Sequence, residues 1–395
     1  MAEIIKQNLA ICPKICNNNR MKRIGVYGGT FNPVHLEHVR LATTAVSQLN
    51  LDKLFIIPTF LSPHKATAPI DAGFRLEMLK LAFSGQDKIE ISDYEIQNQG
   101  KSYSYLTIEH FKSLYPDSEL FLLVGDDMLS DFRTWKNPER ILACADLAVF
   151  GREDFFVDYQ KEEEYFLSRF NKGFIKLDVV GKGISSTEIR LRVVLGLSTD
   201  GLLDKNVREY IDKNALYKKD VYTEFLKNNL TEKRLVHTIN VVVTAMKKAK
   251  DLGLDENKVY LSALLHDCAK YLDHTKVDGF ILPNGVPAPV VHSFLGAFVA
   301  EKVLGITDSE ILDAIRFHTS GKAEMTTLSK LIFVADMVEK GRDYLGVDKL
   351  RELYDGKDFE KCFIECLKEE FLHLLNKKQY IYEQTLNAFR YYIKD

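Results

Sequence analysis

Lys22-Arg23-Ile24-Gly25-Val26-Tyr27-Gly28-Gly29-Thr30-Phe31-Asn32-Pro33-Val34-His35-Leu36-Glu37-His38 is the stretch that decides how this chain is read. Lys22–Tyr27 has the pattern of a short buried strand. Two glycines directly after a strand let the backbone turn sharply and approach a phosphate chain closely. His35 and His38 straddle the start of the next helix, where unpaired N–H groups and the helix dipole favour anions. The ordered string therefore predicts a polyphosphate site at the end of a strand.

Working outward, strand-like and helix-like segments alternate from residue 22 to about 180. Leu54–Ile57, Ile89–Ile91, Leu120–Val124, Leu147–Phe150 and Phe174–Val180 read as strands, and His38–Leu49, Phe74–Phe83 and Tyr105–Tyr115 as helices. Such alternation predicts an α/β, Rossmann-like parallel sheet with helices on both faces. Ligands then bind at the carboxyl ends of the strands. Gly28-Gly29-Thr30, Pro63-His64-Lys65 and Gly125-Asp126-Asp127 each follow a strand.

After about Asp220 the texture changes. Val236–Leu252, Val259–Tyr271, Phe294–Leu304, Glu310–His318 and Leu328–Glu339 are long amphipathic stretches without strand signals, so this half is expected to be all-helical. With 395 residues there is room for two domains. The expected bounds are 22–217 and 222–395, with residues 1–21 a disordered extension and Met21 an alternative start. No signal peptide is expected, and no run approaches the roughly 20 apolar residues of a membrane span. A net charge of −3 gives no sign of a nucleic-acid or membrane surface. Six cysteines without a C-x-x-C pair predict reduced thiols in a cytoplasmic protein. A homo-oligomer is compatible with all of this.

The first half resembles the HxGH nucleotidyltransferase superfamily. More narrowly, from about Lys22 to Tyr217 it resembles bacterial nicotinate-mononucleotide adenylyltransferase. The matching stretches include Ile57-Pro58, Phe74-Arg75-Leu76-Glu77-Met78, Ser102-Tyr103-Ser104, Val124-Gly125-Asp126-Asp127-Met128, Trp135 and Ile184 to Arg190. The resemblance implies attack of the mononucleotide phosphate on the α-phosphorus of ATP, with Mg²⁺, by positioning and charge stabilisation. It implies that Gly28, Gly29, Thr30, Phe31, His35 and His38 hold ATP and that Gly125 and Asp127 lie at its adenosine. Lys65 is either a phosphate contact or an exposed loop lysine. Ser186, Thr187 and Arg190 are implied at the triphosphate, although Ser186 and Thr187 can instead cap their helix. Ser102, Tyr103, Ser104 and Trp135 resemble the family's nicotinate pocket. Three departures stand out: Asn32 for aspartate, Glu37 for glycine and Ser104 for threonine. Glu37 weakens ATP binding if it points inward and is harmless if it points outward.

In the helical half His237, His266-Asp267, His292, His318 and Asp336 lie in or beside apolar helices, where an unpaired polar group is costly to bury. Imidazoles and carboxylates suit iron, manganese or another divalent metal. Their order resembles the HD phosphohydrolase superfamily in its two-metal form. The surroundings, over residues 222–385, resemble bacterial symmetrical diadenosine tetraphosphate hydrolases. That resemblance implies cleavage to two ADP, a bridging Asp267 as metal ligand and catalytic residue, a catalytic Lys270, and Thr319 and Arg342 at phosphate. Lys340-Gly341 stands where that family has Pro-Asn. The expectation is one bifunctional enzyme. The alternative is a hydrolase of another nucleotide, with the first domain serving as a nucleotide sensor.

Overall fold

The computed structural model of the chain describes residues 20–61, 70–153 and 157–393. Most of the expected extension, and Lys65, lie outside the described residues. The alternating segments form six strands: β1 (Lys22–Gly29), β2 (Lys53–Pro58), β3 (Ile89–Ile91), β4 (Ser118–Gly125), β5 (Asp146–Arg152) and β6 (Ile175–Gly181). They pair in parallel in the order β3-β2-β1-β4-β5-β6. The order reverses between β1 and β4, and in a doubly wound sheet the ligand crevice opens at such a reversal. Gly28-Gly29 and Gly125 end the two strands that flank it.

Side chains on a strand alternate between faces, and here both faces are buried. Tyr27, Leu54, Ile56, Phe121 and Leu123 pack with Leu41 and Ala45 of helix α1 (Leu36–Gln48) and Met78 of α2 (Ala72–Ala82). Ile24, Val26, Phe55, Leu120 and Leu122 pack on the other side with Ile108 and Phe111 of α3 (Ser104–Leu114). This double burial is why the strands read as continuous apolar runs.

After β6 comes α4 (Ser186–Leu195), and beyond β6 no strand occurs among the described residues. The helical half is built on α5 (Val221–Asn229), α6 (Glu232–Ala249), α7 (Glu256–Leu265), α8 (Val291–Lys302), α9 (Ser309–Phe317), α10 (Thr327–Val338) and α11 (Phe359–Asn376). Thr231, Asp255, Asp308 and Thr326 cap α6, α7, α9 and α10 by accepting from their first free N–H groups. The helix expected over Val259–Tyr271 stops at Leu265, and residues 266–271 form turns. Consecutive helical residues point about 100° apart; leaving the helix here lets His266 and Asp267 face one centre. Leu191, Val194 and Leu195 of α4 share the apolar core of the helical half, where α4 lies against α5 and α6. Among the described residues no helix is long and apolar enough to cross a membrane.

Candidate active sites

At the end of β1 a Cβ on Gly28 would meet nothing within 4 Å, whereas one on Gly29 would lie 2.9 Å from the Phe31 ring. Phe31 is buried at a φ of 47° and stands edge-on to Tyr27 and His38. The Thr30 and Thr59 carbonyls accept from Arg75 Nη1 at 3.0 and 2.7 Å, and the Ile70 carbonyl accepts from its Nε at 3.1 Å. Arg75 is 1% exposed, and burial lowers the pKa of its guanidinium. It staples the loop after β1 to that after β2.

His35 precedes α1 and His38 lies in its first turn, their rings stacked with centroids 3.7 Å apart. The His35 backbone N–H donates to His38 Nδ1 at 3.2 Å. In the neutral ring that places the His38 proton on Nε2. Burial pushes the His35 imidazole down to about 3, with the Arg152 charge adding to the effect. Its Nδ1 is buried without a hydrogen-bond partner.

Facing this loop, Ser186 Oγ donates to the Pro33 carbonyl at 3.0 Å. Arg190 donates to the Asn32 carbonyl at 2.8 Å and to Thr187 Oγ1 at 3.0 Å. The helix is capped by Ser185, which accepts from the Glu188 N–H. Ser186 and Thr187 are therefore not its cap; their hydroxyls serve the loop and Arg190. Asn32 Oδ1 accepts from the Tyr217 hydroxyl at 2.9 Å. The departure from aspartate thus has a partner that position alone did not reveal.

Glu37 takes neither of the two orientations expected for it. It is 5% exposed. Its carboxylate accepts from Arg40 Nε at 3.1 and 3.2 Å and from the Lys182 backbone N–H at 3.0 Å. Arg40 also donates to the Val180 carbonyl. The carboxylate is spent on tying α1 to the end of β6.

At the end of β4, Asp127 accepts from Arg152 at 2.7 Å. A Cβ on Gly125 would come within 2.3 Å of Asp127 Oδ1, so glycine is what lets that side chain fold back. Asp126 accepts from the Arg152 N–H and the Tyr159 hydroxyl. Its other oxygen is buried and unpartnered, and burial raises its pKa. Ser102 Oγ accepts from the Phe60 N–H, and its own N–H donates to the Leu61 carbonyl. Tyr103 precedes α3 and Ser104 begins it. Lys136, beside Trp135, sets its ammonium 4.5 Å from the Tyr103 ring centre, so the two aromatic segments meet. Trp135 packs on Phe132, and its indole N–H is buried without a partner. Unpaired buried polar atoms cost about 1–3 kcal/mol each, and four of them, on His35, Thr59, Asp126 and Trp135, lie on these segments.

In the helical half His237 comes from α6, His266 and Asp267 from the end of α7, His292 from α8, His318 from the end of α9 and Asp336 from α10. His266 and His318 donate Nδ1–H to the carbonyls of Ala263 and Ile315, at 2.7 and 2.8 Å. His237 Nδ1 meets Glu339 at 3.0 Å. All three thereby turn an Nε2 lone pair to the centre. Asp267 divides its oxygens: Oδ2 lies 3.7 and 3.5 Å from His237 and His266 Nε2, and Oδ1 lies 3.0 and 3.7 Å from His292 and His318 Nε2. Two candidate metal-holding groups result, sharing Asp267. Asp336 Oδ1 lies 3.0 Å from His237 Nε2. Burial alone would raise the Asp267 carboxyl, but the imidazoles of His266, His292 and His318 around it favour its ionised form and hold it well below the usual range. Burial lowers His292 to about 4. A cluster of inward lone pairs and carboxylate oxygens fits divalent cations.

Lys270 reaches His292 Nε2 at 3.1 Å and Asp267 Oδ1 at 3.6 Å. Thr319 Oγ1 lies 3.0 Å from His318 Nε2. Arg342 is placed on the Asp336 carboxylate and carbonyl. Arg75, Arg234 and Glu339 fall in stretches that resemble the two families but had no role assigned from the sequence, and neither had Arg152. Arg152 closes β5 at the ligand end of the sheet, a position that is itself a signal. Arg234, which donates to Asp267 at 2.7 Å, and Glu339 are ordinary charged residues whose partners are 33 and 102 positions away.

The chain matches the family model described as cytidylyltransferase-like over residues 26–192 and that of the HD domain over 234–341. It is 39% identical over 202 residues to a probable nicotinate-nucleotide adenylyltransferase of Clostridium tetani, covering 50% of this chain and 100% of the relative. It is 29% identical over 325 residues to a probable nicotinate-nucleotide adenylyltransferase/Ap4A hydrolase of Mycoplasma pneumoniae, covering 80% of this chain and 88% of that protein. Among solved structures it is similar to a predicted HD superfamily hydrolase involved in NAD metabolism from Clostridium acetobutylicum. That likeness has 33% identity and a TM-score of 0.40 over 43% of this chain and 94% of that one.

Proposed function

The chain belongs, through its N-terminal half, to the nicotinate-nucleotide adenylyltransferase family, and from that premise we propose a bifunctional enzyme. One activity transfers adenylyl from ATP to nicotinate mononucleotide, giving deamido-NAD and pyrophosphate. The other hydrolyses diadenosine tetraphosphate to two ADP. The working bounds are residues 22–217 and 222–395, in the cytoplasm.

For adenylyl transfer the supporting observation is that His35, His38 and α4 meet the loop after β1 at the β1/β4 reversal. His38 Nε2–H and Arg190, with the dipole of α1, bind the triphosphate as charge develops on the leaving pyrophosphate. His35 acts as a neutral ring, because burial keeps it unprotonated. Gly28 and Gly29 let the backbone come close, and Thr30 and Phe31 complete the turn. Lys65 is assigned to phosphate, and Asp127 with Gly125 to the adenosine. Ser102, Tyr103, Ser104 and Trp135 receive the nicotinate ring and carboxylate. Mg²⁺ accompanies ATP.

For hydrolysis the carrying observation is the division of Asp267 between two histidine pairs. His237, His266, His292, His318, Asp267 and Asp336 would hold two divalent ions, iron or manganese. When bound, such a pair supplies an activated water and charge for the attacked phosphate. Lys270, Thr319 and Arg342 border that centre and orient the polyphosphate.

The test is direct. Protein with ATP and nicotinate mononucleotide releases pyrophosphate, and with diadenosine tetraphosphate under Mn²⁺ or anaerobic Fe²⁺ it yields two ADP. His266→Ala and Asp267→Ala lose hydrolysis and bound metal together while pyrophosphate release persists. No pyrophosphate from wild-type protein would sink the first role. Full hydrolysis by either variant would sink the metal assignment.

A further inference from the structure

Two short segments, one in each half of the chain, are held at nearly every position, and they meet at a single ion pair. In α4, Ser186 holds the Pro33 carbonyl, Thr187 and Arg190 hold each other, and Arg190 holds the Asn32 carbonyl. Between them Glu188 is buried with its side chain 2% exposed. One of its oxygens takes Arg192 at 3.0 Å, and the other takes Lys340 of the helical half at 2.7 Å. In the second segment Glu339 holds His237 and Asn240, the Gly341 N–H holds Glu339, and Arg342 holds Asp336. A Cβ on Gly341 would come within 3.0–3.2 Å of Glu339 and Asn240. Lys340 is thus the one residue of that segment that leaves the histidine centre for the other half. α6, which carries His237, also packs on α4.

We propose that Lys340 and Glu188 are positioning residues through which the helical half holds the ATP-phosphate helix of the adenylyltransferase in register. The proposal rests on the assignment of α4 to the triphosphate. A buried carboxylate cannot shed one of two cationic partners without moving toward the other or toward water. Such movement tilts the first turn of α4, and with it Arg190, against the Asn32–Pro33 loop. The lysine itself is 53% exposed, so replacing it leaves no cavity and does not touch a metal-holding residue.

The experiment is steady-state adenylyl transfer by the full chain. Lys340→Ala raises the KM for ATP about two- to fivefold, with kcat and the KM for nicotinate mononucleotide little changed. Lys340→Arg restores it. In a Glu188→Gln background Lys340→Ala adds no further loss, because both act through one contact. Arg190→Ala is the control for the underlying assignment. If it leaves the KM for ATP unchanged, the role given to α4 is wrong. If it raises that KM while Lys340→Ala does not, or if the Glu188 and Lys340 effects multiply, the cross-domain proposal is overturned.

Discussion

Replacing Glu37 with glycine restores the residue usual in the family this sequence resembles, and its expected effect is a loss of stability rather than a gain in rate. Glu37 contributes in three ways: its carboxylate pairs with Arg40 and accepts from the Lys182 N–H, and a residue with a side chain at this position favours the helix over glycine. Arg40 is 39% exposed at its side chain, so solvent screening limits that pair to about 0.2–1 kcal/mol. The hydrogen bond from Lys182 to a charged acceptor contributes about 1.5 kcal/mol, at the low end because that N–H can be rehydrated. Glycine in a helix costs about 1 kcal/mol relative to alanine. Glu37→Ala should therefore destabilise by about 2 kcal/mol and Glu37→Gly by about 3 kcal/mol. The assay is urea unfolding followed by the fluorescence of Trp135, with adenylyl transfer measured on the same preparations. kcat/KM for ATP stays within about threefold of wild type, since the carboxylate faces β6 rather than phosphate. A variant of unchanged stability whose kcat/KM for ATP rises tenfold would refute the reasoning, because only a carboxylate beside the triphosphate acts that way.

Two further outcomes follow from the same geometry. Glu339→Ala frees His237 Nδ1 and unpairs Asn240, so affinity for Mn²⁺ should fall about ten- to hundredfold with hydrolysis falling in parallel; unchanged affinity by metal titration would refute the orienting role. His35 has a folded pKa of about 3 against an ordinary value of 6.5, so between those limits the unfolded chain binds the extra proton. Its contribution is therefore intact above about pH 6.5 and is lost as pH falls, by up to about 1.4 kcal/mol per unit. His35→Gln should flatten the acid limb of the stability curve by that slope, and an unaltered slope would show that His35 is not held neutral.

By itself the sequence determined the elements and their chemistry, because those depend on neighbours within a few residues. Apolar runs such as Leu120–Val124, alternating with helical segments, read as strands buried on both faces, and Gly28-Gly29 after a strand and before His35 read as a turn able to approach phosphate. The capping Thr and Asp residues of the helical half act on their helices locally, and the ordered set His237, His266-Asp267, His292, His318 and Asp336 resembled a metal-holding pattern. Tertiary structure decided whatever depended on partners far along the chain. Glu37 could not be oriented until β6 brought the Lys182 N–H to it, 145 positions away. Asn32 looked like a defect until Tyr217 arrived from 185 positions on. Side-chain direction in a turn is set by packing rather than by residue type. Hence only the fold could end α7 at Leu265 and split the Asp267 oxygens between two histidine pairs. Lys340 was legible as a departure, but its place on a buried carboxylate of the other half was not, since an ion pair is a statement about distance.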